Sequence, residues 1–262
     1  NAHVIFIPQN SLLLLPFAAL QDADGRFLIE KHTILTAPAI QVLALTHEQQ
    51  QRLNSARKPQ HSALVIGNPT MPSFGDPPQT LNALPYAEYE AQAIASLLNV
   101  DALTGRHAME SDVVPQMQEA RIIHLATHGL LSNALGWQVP GAIALAPSET
   151  SDGLLTSDEI LNLSLHAELV VLSACNTGRG WVTSDGVVGL SRSFITAGAS
   201  SVVVSLWSVP DESTATLMTA FYRNLKSNSD KAAALRQAMI STMQQYPSSR
   251  DWAAFTFIGN AE

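Results

Sequence analysis

The chain has 262 residues, 46% of them apolar and 14% charged, with a formal net charge of -8 from 14 Lys plus Arg against 22 Asp plus Glu. So few charges among so many aliphatics can bury a large core and exclude a disordered chain. The acidic balance, with no basic tract, speaks against nucleic acid or an anionic membrane as a partner.

Length alone allows one large α/β domain or one with a small companion. The longest apolar stretch, Leu12 to Leu20, is about half of what a bilayer span requires and is interrupted by Pro16. The single cysteine, Cys175, can form neither an internal disulfide nor a multi-cysteine zinc site. With no visible targeting signal, the expected compartment is a reducing cytoplasm. The chain opens at Asn1 inside an apolar strand pattern without an initiator Met, which reads as a piece of something longer.

In chain order, Val4 to Pro8, Leu12 to Leu20 and Phe27 to Thr36 read as short strands separated by turn residues, including Asp22-Ala-Asp24-Gly25. That turn resembles the opening of a calcium loop, but Thr33 stands where the bidentate Glu would be, so a hairpin turn is the expectation. His47 to Gln60 is polar and reads as helix, then linker. The predicted organisation is therefore an N-terminal strand-rich segment, residues 1–60, packed on a main α/β domain, residues 61–262.

From Ser62 onward strands and helices alternate. Ala63 to Ile66 is a buried strand, and Pro85 starts a helix with Ala87, Ala91, Ile94 and Leu98 on one face. Arg121 to Thr127, Glu168 to Ala174 and Ser200 to Leu206 are apolar runs of strand length. Helices are expected at Val187 to Ala197, Asp211 to Leu225 and Asp230 to Met243, and a last strand at Trp252 to Ile258. The segment around Thr156 and Ser157 reads as a capped helix start. Strands apolar on both faces with helices between them imply a mainly parallel sheet.

Two of these strands end in a reactive side chain followed by a glycine-containing loop: the first runs to His128-Gly129, the second to Cys175-Asn-Thr-Gly178. Parallel strands deliver such residues to one edge of the sheet, and as neighbours they would lie about 4.8 Å apart. His124 and His128 are four residues apart on a strand, roughly 13 Å, too far to share a metal ion, and no third ligand stands nearby. His128, at the strand terminus, is the candidate base, whereas His124 reads as a satisfied structural histidine. A thiolate with an imidazole in reach is a nucleophile with its proton acceptor. The amides of Gly129 and Cys175 are the natural oxyanion donors.

His124-Leu-Ala-Thr-His128-Gly129, Ser173-Ala-Cys175-Asn-Thr-Gly178, Asp185-Gly-Val-Val-Gly-Leu-Ser-Arg192-Ser-Phe and Ala197-Gly-Ala-Ser-Ser-Val-Val-Val-Ser-Leu-Trp207-Ser-Val-Pro-Asp211 together resemble the CHAT domain, the caspase-like module found with tetratricopeptide repeats. Leu-Leu-Pro16-Phe-Ala-Ala, Ile66-Gly-Asn-Pro69 and the final Ala-Ala-Phe-Thr-Phe-Ile-Gly extend the resemblance over almost the whole chain. It implies a caspase–haemoglobinase-like three-layer sandwich and cysteine endopeptidase chemistry on a protein or peptide, with His128 and Cys175 as the dyad and no metal or other cofactor. It also implies an upstream tetratricopeptide-repeat or other regulatory region. The stretch ending in Asp211 is similar to separases, where an acidic residue faces the arginine before the cut, so Asp211 would line the S1 pocket. The position that is acidic in metacaspases is Ser173 here. Asp211 also stands three residues after Ser208, a capping-box-like spacing, so complementing a helix dipole is its competing role. Arg192 and Trp207 read as packing and network residues, and Arg179 as a solvated loop charge. The alternative to an enzyme is a non-catalytic caspase-like interaction module. A serine hydrolase is disfavoured because no Gly-x-Ser-x-Gly elbow occurs.

Overall fold

The structure is a computed structural model that describes residues 2–55, 61–75, 77–131, 141–173 and 184–262, with the side chains at 61, 131 and 184–188 outside the description. In chain order its elements are β1 (His3–Phe6), α1 (Leu28–Lys31), β2 (Thr33–Thr36), α2 (Ile40–Ser55), β3 (His61–Pro69), β4 (Ser73–Phe74), β5 (Gln79–Thr80), α3 (Pro85–Leu98), β6 (Ala102–Gly105), α4 (Glu110–Glu119), β7 (Ala120–Ala126), β8 (Gly129–Leu131), β9 (Gly141–Ala144), β10 (Leu154–Thr156), α5 (Ser157–Leu161), β11 (Leu169–Leu172), α6 (Ser184–Ala197), β12 (Ser201–Ser205), α7 (Asp211–Ser227), α8 (Lys231–Gln245), α9 (Ser249–Trp252) and β13 (Phe255–Gly259).

Eight strands form one sheet in the order β1-β2-β13-β12-β11-β7-β3-β6. Every pairing in it is parallel except β12 with β13. Because successive side chains leave opposite faces, each central strand serves two cores. Ala63, Val65, Val171 and Val203 pack with α3, α7 and α8 on one face, while Leu64, Ile66, Val170, Leu172 and Val202 pack with α4, α5 and α6 on the other. The result is the expected helix–sheet–helix sandwich with a mainly parallel sheet. A small antiparallel sheet, β10-β9-β8, branches from the end of β7. Among the described residues no helix is long and apolar enough to cross a membrane.

Several elements differ from expectation. The run Leu12 to Leu20 is two 3-10 turns, Asn10–Leu14 and Phe17–Ala19; Pro16 has no N–H to give a ladder, and Leu12 stands 55% exposed. Phe27 to Thr36 begins with α1 before β2, Glu30 reaching back to the Phe27 N–H at 2.6 Å. Helix α2 starts at Ile40, seven residues before the polar stretch that signalled it. Its docking is polar, with Gln49 Nε2 donating to Ile195 O at 2.7 Å and Gln50 Oε1 accepting from Ser200 Oγ at 2.7 Å. Trp252 ends α9 instead of opening β13.

Candidate active site

The four parallel strands β12, β11, β7 and β3 lie side by side, so the chain segments leaving their carboxyl ends share one edge. β7 and β11 are neighbours, with Val171 opposite His124 and Leu172 opposite Leu125. His128 follows β7 by two residues. β11 runs out through Ser173 toward Cys175, which, with its amide and Arg179, lies outside the described residues.

His128 is fully buried and held from two sides. Its Nε2 lies 2.6 Å from the carbonyl oxygen of Asn82. A carbonyl only accepts, so Nε2 carries the proton and Nδ1 is the basic nitrogen of the neutral ring. The Asn82 carbonyl is in turn placed by Asn68, at the end of β3 with left-handed φ of 46°. Its side chain accepts from Leu84 N–H at 2.7 Å and donates to Glu88 Oε2 at 3.0 Å, tying the segment before α3 to its first turn. The backbone of His128 is fixed by β9: Ala144 N–H donates to His128 O at 2.9 Å, and Thr127 Oγ1 donates to Ala144 O at 2.8 Å.

Gly129 stands opposite Ile143 in the β8–β9 pair. Bonded and non-bonded pairs alternate in an antiparallel ladder. The bonded His128–Ala144 pair therefore leaves Gly129 with its N–H directed away from β9, toward the other edge of β8.

Burial pushes the His128 imidazole below its usual 6.5, opposed by the Asn82 carbonyl and, more weakly, by the Asp211 carboxylate. The converse holds for Asp211, which burial raises above its usual 3.8 while His128 lowers it. Asp211, half-buried at the start of α7, and the imidazole thus act on each other electrostatically. The Ser208–Asp211 capping box is not formed, since α7 begins behind Pro210 with no side-chain cap, but Asp211 occupies its first position, where a carboxylate complements the helix dipole as the competing reading had it. Pro210 is itself the N-cap residue, with an extended ψ of 135°, which leaves Ser208 outside the helix.

His124 is structural, as expected. Its Nε2 lies 2.9 Å from Glu90 Oε1 and its Nδ1 3.3 Å from Tyr222 Oη. Trp207 acts as a network residue, donating from Nε1 to Arg250 O at 3.0 Å. Arg192 is exposed on α6 and so is not a packing residue. Ser173 is buried, its Oγ without a partner among the described residues. Asp22 builds a tight turn by accepting from Asp24 N–H and Arg26 N–H at 2.9 and 3.0 Å. Its ion pair with Lys31, first among the causes, holds its carboxyl at about 2. Thr156 caps α5 in a reciprocal box with Glu159. Among the described residues no group of three His, Cys, Asp or Glu side chains could hold a metal ion.

Sequence reasoning missed Asn82 and Asn68. Asn82 acts through its main chain, which no side-chain motif reports; for Asn68, the Gly-Asn-Pro turn directly after a strand was the available signal.

The family model for the CHAT domain matches residues 1–260. Tetratricopeptide repeat protein 28 from Homo sapiens is 29% identical over 303 residues, covering 99% of this chain and 12% of that protein, and the Mus musculus protein is equally similar. This chain thus spans about an eighth of the curated relatives it matches. Among solved structures, the Saccharomyces cerevisiae separase–securin complex superposes with a TM-score of 0.60 at 14% identity, over 98% of this chain and 16% of that one. The Arg-specific cysteine proteinase gingipain R superposes with a TM-score of 0.55 at 11% identity, over 87% and 54%. These likenesses establish a caspase–haemoglobinase-like fold.

Proposed function

This chain belongs to the CHAT-domain family, and we propose that it is a cysteine endopeptidase that cleaves a protein or peptide after a basic residue. The observation that carries the reading is the setting of His128: a buried imidazole at the end of β7, its Nε2–H tied to a carbonyl, beside the strand whose chain continues into Cys175. In this reading Nδ1 takes the proton of the Cys175 thiol as sulfur attacks the carbonyl carbon. The resulting oxyanion is met by the amides of Gly129 and Cys175. The imidazolium then protonates the leaving amine, and the thioester left on Cys175 is hydrolysed by a water whose proton returns to Nδ1. No metal or other cofactor enters these steps.

Asp211 supports the basic preference. In this reading the half-buried Asp211 carboxylate, which acts electrostatically on the imidazole, forms charge-assisted bonds with Arg or Lys at P1. By likeness to the tetratricopeptide repeat proteins it matches, the domain would act together with a repeat region; its single cysteine fits a reducing cytoplasm. A non-catalytic interaction module is the second reading, favoured only by the repeat-protein context of the human and mouse relatives. Cleavage of a P1-randomised peptide library tests both. Cutting after Arg and Lys that vanishes in Cys175→Ala and loses its basic bias in Asp211→Ala is expected. A Cys175→Ala chain that still cuts would overturn the mechanism, and an unaltered bias in Asp211→Ala would remove that residue from the pocket.

A further inference from the structure

The peptidase steps leave one polar cluster unused. Glu90, His124 and Tyr222 are 2%, 0% and 1% exposed, inside the core between the sheet and its α3/α7/α8 face. Nε2 of His124 lies 2.9 Å from Glu90 Oε1, Nδ1 lies 3.3 Å from the Tyr222 hydroxyl, and the two rings pack edge to face with centroids 5.4 Å apart. With the ring neutral, Nε2–H donates to the carboxylate and the phenol donates to Nδ1, so both ring nitrogens are satisfied. Such a cluster gives little stability over an apolar packing of the same shape, and where one is kept, fixing a unique arrangement is its attested use.

The cluster joins three elements, and each of them carries one part of the site. His124 is on β7, four residues before His128, which follows the end of that strand. Glu90 is on α3, whose entry segment holds the Asn82 carbonyl against Nε2 of His128. Tyr222 is on α7, eleven residues and about 16 Å along the helix from Asp211 at its head. The two helices also pack against each other.

We propose that Glu90, His124 and Tyr222 are positioning residues that lock α3 and α7 onto β7 and so fix Asn82 and Asp211 relative to His128. The peptidase reading supplies the function being positioned, but the geometry can be measured without it. Removing only the phenol oxygen, in Tyr222→Phe, removes the hydrogen bond that ties α7 to β7 through His124 while keeping the packing of the ring. The carboxylate at the head of α7 then acts less on the imidazole, and the basic P1 side chain loses part of its partner.

Two readouts on the 262-residue chain test this. The first is the ratio of kcat/KM for matched peptides with arginine or uncharged citrulline at P1, which should fall by about 3- to 10-fold in Tyr222→Phe. The second is the NMR titration of the His128 ring, which should move to lower pH, in the direction of Asp211→Asn but by less, because the carboxylate stabilises the imidazolium. Glu90→Gln keeps an oxygen acceptor for Nε2–H and should retain more of both properties than Glu90→Ala. A lowered melting temperature with an unchanged P1 ratio and an unchanged His128 titration would overturn the proposal. If the parent chain cleaves no peptide, the peptidase reading fails, and the His128 titration alone still decides whether the cluster positions the site.

Discussion

A site-bearing helix approaches the sheet closely at Gly67, on β3 one residue before Asn68. A methyl group there would stand 2.4 Å from Ala87 O and 2.4 Å from Ala91 Cβ, both on α3. Ordinary contact needs about 3.5 Å, so Gly67→Ala must push α3 outward by about 1 Å. Neither obstacle is the end of a flexible side chain, which places the overpacking cost toward about 2–3 kcal/mol. For a chain of this size that corresponds to a melting temperature lower by about 4–12 °C. The same displacement moves the Asn68–Leu84 tie and with it the carbonyl at Asn82. A misplacement of about 1 Å at catalytic groups can cost roughly 100-fold in rate, so cleavage should fall far more than the small loss of folded protein at 25 °C explains. Differential scanning calorimetry and steady-state kinetics on the same preparation read the two effects. A variant with parental melting temperature and parental kcat would refute the claim that β3 and α3 meet through this glycine to set the site.

Thr156→Ala removes the hydroxyl that accepts from Glu159 N–H at 3.2 Å; a loss of about 1 kcal/mol in urea unfolding is expected, and no loss would show that the box at α5 contributes nothing. Glu110 accepts from Gly153 N–H at 3.0 Å, and burial first, then the Glu159 and Asp152 carboxylates, raise it above its usual 4.5. The folded chain therefore keeps a proton that the unfolded chain has released, and this group's contribution declines as pH rises from about 4.5 through the raised value. Glu110→Gln retains an acceptor, so melting temperature plotted against pH should flatten above 4.5 and be no lower than the parent's at pH 7; a large drop at pH 7 would contradict this. For His128 the sign is opposite: its pKa is depressed, so the unfolded chain binds the extra proton and stability is lost as pH falls from about 6.5. His128→Gln should remove that slope from the melting profile, and a slope identical to the parent's would assign it to other groups.

The central sheet was legible because β3, β7, β11 and β12 are apolar on both faces, and only a parallel arrangement covered by helices buries such strands. The pattern did not fix strand order: that β7 and β11 are neighbours, which places His128 beside the strand leading toward Cys175, comes from the fold. Less was legible where docking is polar or acts through the main chain. Helix α2 buries Gln49 and Gln50 instead of an apolar stripe, so its start was misplaced. Leu12 to Leu20 has the composition of a strand but is broken by Pro16. Glu90 sits among Ala87, Ala91 and Ile94 at helical spacing, and a carboxylate on that apolar face was a sign of a buried partner that the sequence alone could not name. Asp211 was identified by resemblance, and its half-buried place at the first position of α7 is what the fold adds.

The proposed chemistry requires that His128 activate the Cys175 sulfur. Incubating the chain with a peptidyl-arginine halomethyl ketone and measuring intact mass over time tests this most directly. A single adduct mapping to Cys175, formed at least about 100-fold more slowly in His128→Ala, is the predicted result. A chain that is not labelled, or is labelled equally fast with and without the imidazole, would contradict it.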